Sequence, residues 1–239
     1  MVSADTLEII EQTQRYLRHQ EELFGKDLFL SRPEVLESVG ISREPETLTE
    51  FREVIKDCQK CSLAKTRNHL VFGVGDSRAN VMLIGEAPGR DEDIQGEPFV
   101  GKAGQLLDKI LAAIDFRREK VYIGNVLKCR PPGNRDPLPE EIVLCMPHLL
   151  RQIEIIQPKI ILVLGRIAAQ TLLKTKSSLS HLRGGIHDFQ GIPLIITFHP
   201  AALLRNPQWK RPTWEDVQKL RQLYDELVGD KPKWHPPRK

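Results

Sequence analysis

Residues 79–85 read Ala79-Asn-Val-Met-Leu-Ile-Gly85, and residues 159–165 read Lys159-Ile-Ile-Leu-Val-Leu-Gly165. Each is a short apolar run closed by glycine, without the polar alternation of a half-exposed strand. Strands of this kind are buried on both faces, as in a parallel sheet covered by helices. Two further short, mostly apolar runs read as strands, Val121–Asn125 and Pro193–Phe198. Helix-length segments separate the four. Lys102–Ile114 sets Leu106, Leu107, Ile110, Leu111 and Ile114 on one face, and Pro139–Ile156, Arg166–Leu173 and Trp214–Leu227 follow. Strands alternating with helices predict an α/β fold, a three-layer α/β/α sandwich around a central four-stranded parallel sheet. Reactive groups then belong at the carboxyl ends of the strands. Glu86, Asn125 and His199 fall there.

Outward from this core, residues 1–46 read as an N-terminal extension. Within 4–24, Leu7 and the pairs Ile9/Ile10, Tyr16/Leu17 and Leu23/Phe24 mark an amphipathic helix, a surface on which a protein partner could dock. Gly25, Pro33, Gly40 and Pro45 make 25–46 a linker. The main domain is expected over 47–229, and the Pro- and Lys-rich segment 230–239 reads as a tail.

Composition narrows the function. The chain has 239 residues, a net charge of +3 and 40% hydrophobic residues, as in an ordinary globular protein. No apolar run reaches the roughly 20 residues needed to cross a bilayer, and the N-terminus lacks a signal-peptide pattern. The expectation is an intracellular monomer with no membrane role. Basic residues gather at Lys128–Arg135, Arg183 and Arg205–Arg211, which suits contact with a short stretch of phosphates better than wholesale coating of nucleic acid.

The chain has four cysteines: Cys58 and Cys61 in a C-x2-C pair, then Cys129 and Cys145. Such a pair points two thiolates at one centre, which two distant cysteines can complete. Spacing alone leaves zinc and an iron–sulfur cluster both open. The loop Gly85-Glu-Ala-Pro-Gly-Arg-Asp-Glu-Asp93 puts glycines and carboxylates after a strand, where they could position water or form a plain acidic turn. Phe99, between Pro98 and small residues, can stack on a planar base. The Asn125 amide offers a donor and an acceptor to a pyrimidine edge.

Together these segments resemble the uracil-DNA glycosylase superfamily, and its iron–sulfur family 4 in particular. The resemblance runs from about Asp57 to about Leu227. It rests on Cys58-x2-Cys61, Gly85-Glu-Ala-Pro-Gly89, Gly96-x-Pro-Phe-Val-Gly-x-Ala-Gly104, Asn125-Val-Leu-Lys-Cys-Arg-Pro-Pro132, Cys145 and His199-Pro-Ala-Ala-Leu-Leu-Arg205. It implies a [4Fe–4S] cluster on Cys58, Cys61, Cys129 and Cys145, with uracil-containing DNA as substrate. Gly85, Glu86 and Ala87 would bracket a flipped uracil and its attacking water, Phe99 would stack on the base, and Asn125 would read its edge. His199 would donate to O2, while Leu203, Leu204 and Arg205 would wedge into the minor groove. Glu86 or Asp91 would handle the water, because no aspartate stands at 86 or 87 as it does in other branches. Ala201 stands where many relatives carry serine. The implied reaction is monofunctional hydrolysis of the glycosidic bond in base excision repair; an iron–sulfur nucleic-acid binder without turnover is the alternative. Arg130–Pro137 holds no histidine, which argues against a branch that traps the base covalently.

Overall fold

The structure, a computed structural model, describes residues 47–232, 234 and 235. The expected N-terminal helix and linker lie outside the described residues. The first element among the described residues is helix α1 (Leu48–Ile55), capped by reciprocal bonds between Thr47 and Glu50. Strands β1 (Val74–Gly75) and β2 (Val81–Gly85) follow, then helices α2 (Arg90–Gln95) and α3 (Lys102–Ala112) and strand β3 (Tyr122–Asn125). Next come α4 (Pro139–Ile156), β4 (Ile160–Leu164), α5 (Arg166–Leu172), α6 (Leu179–Leu182), β5 (Ile186–Phe189) and β6 (Ile192–Thr197). Helices α7 (Pro200–Arg205) and α8 (Lys210–Leu227) end the series.

The sheet has six strands in the order β1-β3-β2-β4-β6-β5, not four. The four expected strands are its parallel centre, β3-β2-β4-β6. The additional two pair antiparallel at its edges. Neither carries an apolar run: β1 has two residues, and β5 is Ile-His-Asp-Phe with only Phe189 buried. Gln190 and Gly191, both at positive φ, make the tight turn from β5 into β6.

Alternate side chains of the central strands feed two separate cores. Met82, Ile84, Ile161 and Val163 pack with Phe51 of α1, Leu149 and Ile153 of α4 and Ala168 of α5. Val81, Leu83, Ile160 and Leu162 pack with Leu107 and Leu111 of α3 and with Val217 and Leu220 of α8. Each fully buried Leu or Ile contributes about 1.5–3 kcal/mol, so the two faces hold the three layers together. Helix α8 begins at Lys210, a turn ahead of the expected Trp214; Thr213 supports that turn by donating from its hydroxyl to the carbonyl of Trp209.

The described part of the C-terminal tail is tied down. Arg221 is 1% exposed, and its guanidinium donates to Asp225, to the carbonyl of Ile114 and to the carbonyl of Pro232. Lys231 donates to the carbonyl of Asp115, the Tyr224 hydroxyl donates to Asp230, and Trp234 packs edge-on against Trp214. A buried guanidinium left short of an acceptor costs roughly 1–3 kcal/mol. Ending the chain after Gly229 is therefore expected to lower the melting temperature by about 4–10 °C in a thermal melt. An unchanged melting temperature would show that the strap carries no stability.

Candidate active site

Strands β2 and β3 pair with Gly85 opposite Asn125, and β4 and β6 pair with Leu164 opposite Thr197. All four strands therefore end along one edge of the sheet, and the loops beyond them enclose a cavity of about 360 Å³. Glu86, Ala87, Phe99, Asn125, His199 and Arg205 line it, as do Glu92, Asn134, Arg135 and Asp136. Of the expected site residues, the fold brings Glu86, Ala87, Phe99, Asn125, His199 and Arg205 together here. Gly85 lies directly beneath. A Cβ on it would stand 2.4 Å from Asn125 Oδ1 and 2.8 Å from the Phe99 ring, so glycine leaves the space that both side chains use.

Asn125 is 2% exposed, and its Oδ1 is buried with no hydrogen-bond partner. Buried side-chain acceptors are nearly always paired, so an orphan beside a cavity points to a donor on a ligand. The Phe99 ring stacks on the His199 ring, 5.4 Å between centroids and 29° between planes. His199 caps α7, where its Nδ1 accepts from the Ala201 amide at 3.2 Å. That bond fixes the proton of the neutral ring on Nε2. Burial, aided by the Arg205 charge, pulls the His199 pKa down to about 4, so the ring is neutral at physiological pH.

Glu86 is the cavity's displaced acid. Burial, then the neighbouring Asp136 carboxylate, push its pKa up to about 7, while Arg166 pulls the other way. Asp136 itself pairs with Arg166 at 2.8 Å. Asp91 is exposed on α2 and is not among the residues lining the cavity. Nor does the expected wedge hold as a unit. Leu203 is 1% exposed and faces inward, whereas Leu204 is 48% exposed. Successive residues of a helix point about 100° apart, so α7 can turn only one of the pair outward.

Three of the four cysteines share one apolar cluster, and the fourth, Cys58, lies beside His148 of α4. Cys129 and Cys145 are buried with Leu63 and Leu127, and Cys61 packs against them. None of the four is in a disulfide. The Arg67 guanidinium donates to Cys129 Sγ at 3.3 Å and the Lys128 amide to Cys145 Sγ at 3.3 Å, while His148 Nε2 lies 3.4 Å from Cys58 Sγ. Burial pushes the Cys145 thiol up to about 11. Among the described residues, no three His, Cys, Asp or Glu side chains converge as they would around a single metal ion.

Several residues that the sequence placed only in charged runs have a different part here: Lys128, expected to suit phosphates, is buried away from solvent, and Arg135 is held by Glu141. Lys128, fully buried, donates to the carbonyl of Asn125 at 2.8 Å and to Gln152 at 2.5 Å, and so braces Asn125 from behind. Arg135 and Glu141 form a two-pronged pair at 2.9 and 2.6 Å that fixes the loop carrying Asn134 and Asp136. Asp93, 1% exposed, accepts from the amide and side chain of Asn68. The sequence shows charged residues in loops here; their partners are distant or reached by turns that no periodicity announces.

Comparison with known proteins agrees with this geometry. A sequence model of the Uracil DNA glycosylase superfamily matches residues 72–220. The type-4 uracil-DNA glycosylase of Archaeoglobus fulgidus is 45% identical over 186 residues, covering 74% of this chain and 94% of the relative. That of Thermotoga maritima is 44% identical over 180 residues, with 74% and 94% covered. A type-5 uracil-DNA glycosylase of Pyrobaculum aerophilum is 28% identical over 184 residues, covering 69% of this chain and 80% of the relative. The loops, the cavity and the four cysteines thus stand on a chain that belongs to the uracil DNA glycosylase superfamily, among its type-4 members.

Proposed function

We propose that this protein is a monofunctional uracil-DNA glycosylase that hydrolyses the N-glycosidic bond of deoxyuridine in DNA, and that its four cysteines hold a structural [4Fe–4S] cluster. The observation that carries the first part is the unpaired, buried Asn125 Oδ1 beside the Phe99–His199 stack. Uracil extruded from the helix presents N3–H and O4 on one edge. Asn125 accepts from the first through Oδ1 and donates to the second through its amide. Cytosine reverses both groups, so the same amide would face donor to donor and acceptor to acceptor.

Phe99 stacks on the base. His199 Nε2–H donates to O2, where negative charge collects as the bond from N1 to C1′ breaks and both electrons leave with the base. The neutral imidazole holds this charge without giving up its proton. Water adds to the oxocarbenium carbon from the Glu86 side, and the Glu86 carboxylate takes its proton. Glu86 rather than Asp91 has this role, since only Glu86 lines the cavity. Glu86 then releases that proton to solvent and the uracil anion takes one up, so the products are neutral uracil and an abasic sugar. Leu204, outward on α7, and Arg205 face the DNA. The loop Arg130–Pro137, which reaches the cavity with Asn134, Arg135 and Asp136, holds no histidine, which favours turnover over covalent capture.

The cysteines suit an iron–sulfur cluster on two grounds. The donor set is all sulfur, and N–H groups of Arg67 and Lys128 point at two of the sulfurs, as around cluster thiolates. Cys58, Cys61, Cys129 and Cys145 would hold the cluster, which supplies no redox step to hydrolysis. It would cross-link the segment after α1, the Asn125 loop and α4. Cys145→Ser is expected to yield colourless protein with its iron lost and its melting temperature lowered; a brown variant with four irons per chain would contradict the ligand set.

The primary test is release of uracil from an oligonucleotide carrying one deoxyuridine, followed by alkaline cleavage at the abasic site. Asn125→Ala and His199→Ala should each slow single-turnover excision by about 100-fold or more. A folded wild type that releases no uracil would overturn the catalytic reading. The pH dependence follows from Glu86: the base is its deprotonated form, so kcat/KM should rise with pH through a midpoint near 7. Glu86→Gln should be slow and lack that rise; an unchanged midpoint in the variant would remove Glu86 from the role of base.

A further inference from the structure

Phe99 has a backbone φ of +55°, in the left-handed region that a bulky residue occupies only when its surroundings impose it. Three features impose it. The Glu92 carboxylate on α2 accepts from the amides of Val100 and Gly101 through Oε1, both at 3.1 Å. Arg118 donates to the carbonyl of Pro98 from the other side. Gly104, in the first turn of α3, lets the Phe99 carbonyl come so near that a Cβ there would stand 1.8 Å from its oxygen. The second oxygen of Glu92, Oε2, accepts from the amide of Gly89 at 3.1 Å, in the loop that carries Glu86 and Ala87.

One carboxylate thus joins two walls of the cavity: the loop after β2 and the loop that presents the Phe99 ring. Glu92 lines the cavity, yet its oxygens are committed to three backbone amides, which suits an acceptor-only carboxylate and leaves it poorly placed to take a proton from water. We propose that Glu92 is a positioning residue that sets the Phe99 ring against the extruded base by locking the Phe99 loop to the Glu86 loop. This rests on the reading of the cavity as the uracil pocket. Glu92→Gln turns one of its two acceptor oxygens into a donor, and a donor facing amide N–H groups must break one side of the clamp.

Two measurements on the full-length protein test this. The first needs no substrate: amide hydrogen exchange of segments 86–89 and 97–101 should quicken together in Glu92→Gln, while β2 and β3 exchange as in wild type. The second is a double-mutant cycle on single-turnover uracil excision. Glu92→Gln should slow the wild type by about 10- to 100-fold, but a Phe99→Ala background by less than about 3-fold, because two substitutions that act through the same ring do not add. An equal loss in both backgrounds, or unchanged exchange in the two loops, would overturn the proposal. If Glu92→Gln melts too early to assay, Glu92→Asp, which keeps the charge but draws it back by one methylene, should show the same pattern more weakly. A wild type that excises no uracil would count against the proposed activity, and the exchange measurement alone would then decide on the clamp.

Discussion

Between Gly85 and Asn125, register partners on β2 and β3, there is no room for a methyl group. A similar closeness recurs beyond β4: Gly165, at φ +96°, sits where a Cβ would come 3.0 Å from that of His199. Parallel pairing brings the strand ends to one edge, and the missing side chains let that edge close around polar groups. The amide and the imidazole are thereby held by backbone rather than by flexible arms. The sheet register thus governs the cavity: slipping β3 by one residue would turn Asn125 to the other face.

The electrostatics of the cavity follow from this enclosure. Water is scarce around His199 and Glu86, so the charged form of each is disfavoured, and the two shifts run in opposite directions. An imidazole kept neutral serves a developing anion as a hydrogen-bond donor without competing for its proton. A carboxylic acid brought near neutrality can take a proton from water and return it. Asp136 and Arg166 sit at the rim as an exposed pair, where solvent screens them and their mutual attraction is weak. Their influence on Glu86 is accordingly secondary to its burial.

The central sheet was readable because its four buried strands leave short apolar runs, two of them closed by glycine, and because Pro139–Ile156 keeps a helical stripe along its whole length. The edge strands were not readable: β1 is two residues long, and β5 gains its order from hydrogen bonds to β6 rather than from its own composition. Helix α2 hid inside the acidic run Asp91–Asp93, whose charges look like a solvated turn until Glu92 and Asp93 are seen gripping amides from neighbouring loops. The cavity residues Asn125, Phe99 and His199 stood out through motif context, since a lone residue of each type is usually a turn or core residue. Leu203 and Leu204 could not be told apart in sequence, because which of two adjacent leucines faces out depends on how the short α7 rolls against the domain.

The strap that follows α8 also has a bearing on when the domain can be completed. Arg221 gathers acceptors from residues 114, 225 and 232, and the last of these comes after every strand and helix of the domain. During synthesis the parallel strands and α3 leave the ribosome well before Pro232 does. The nascent domain can condense before then, but its Arg221 guanidinium lacks one of its acceptors until that proline has emerged. The docking of the segment after α8 is in that sense the last step in completing the domain, not a condition for starting it.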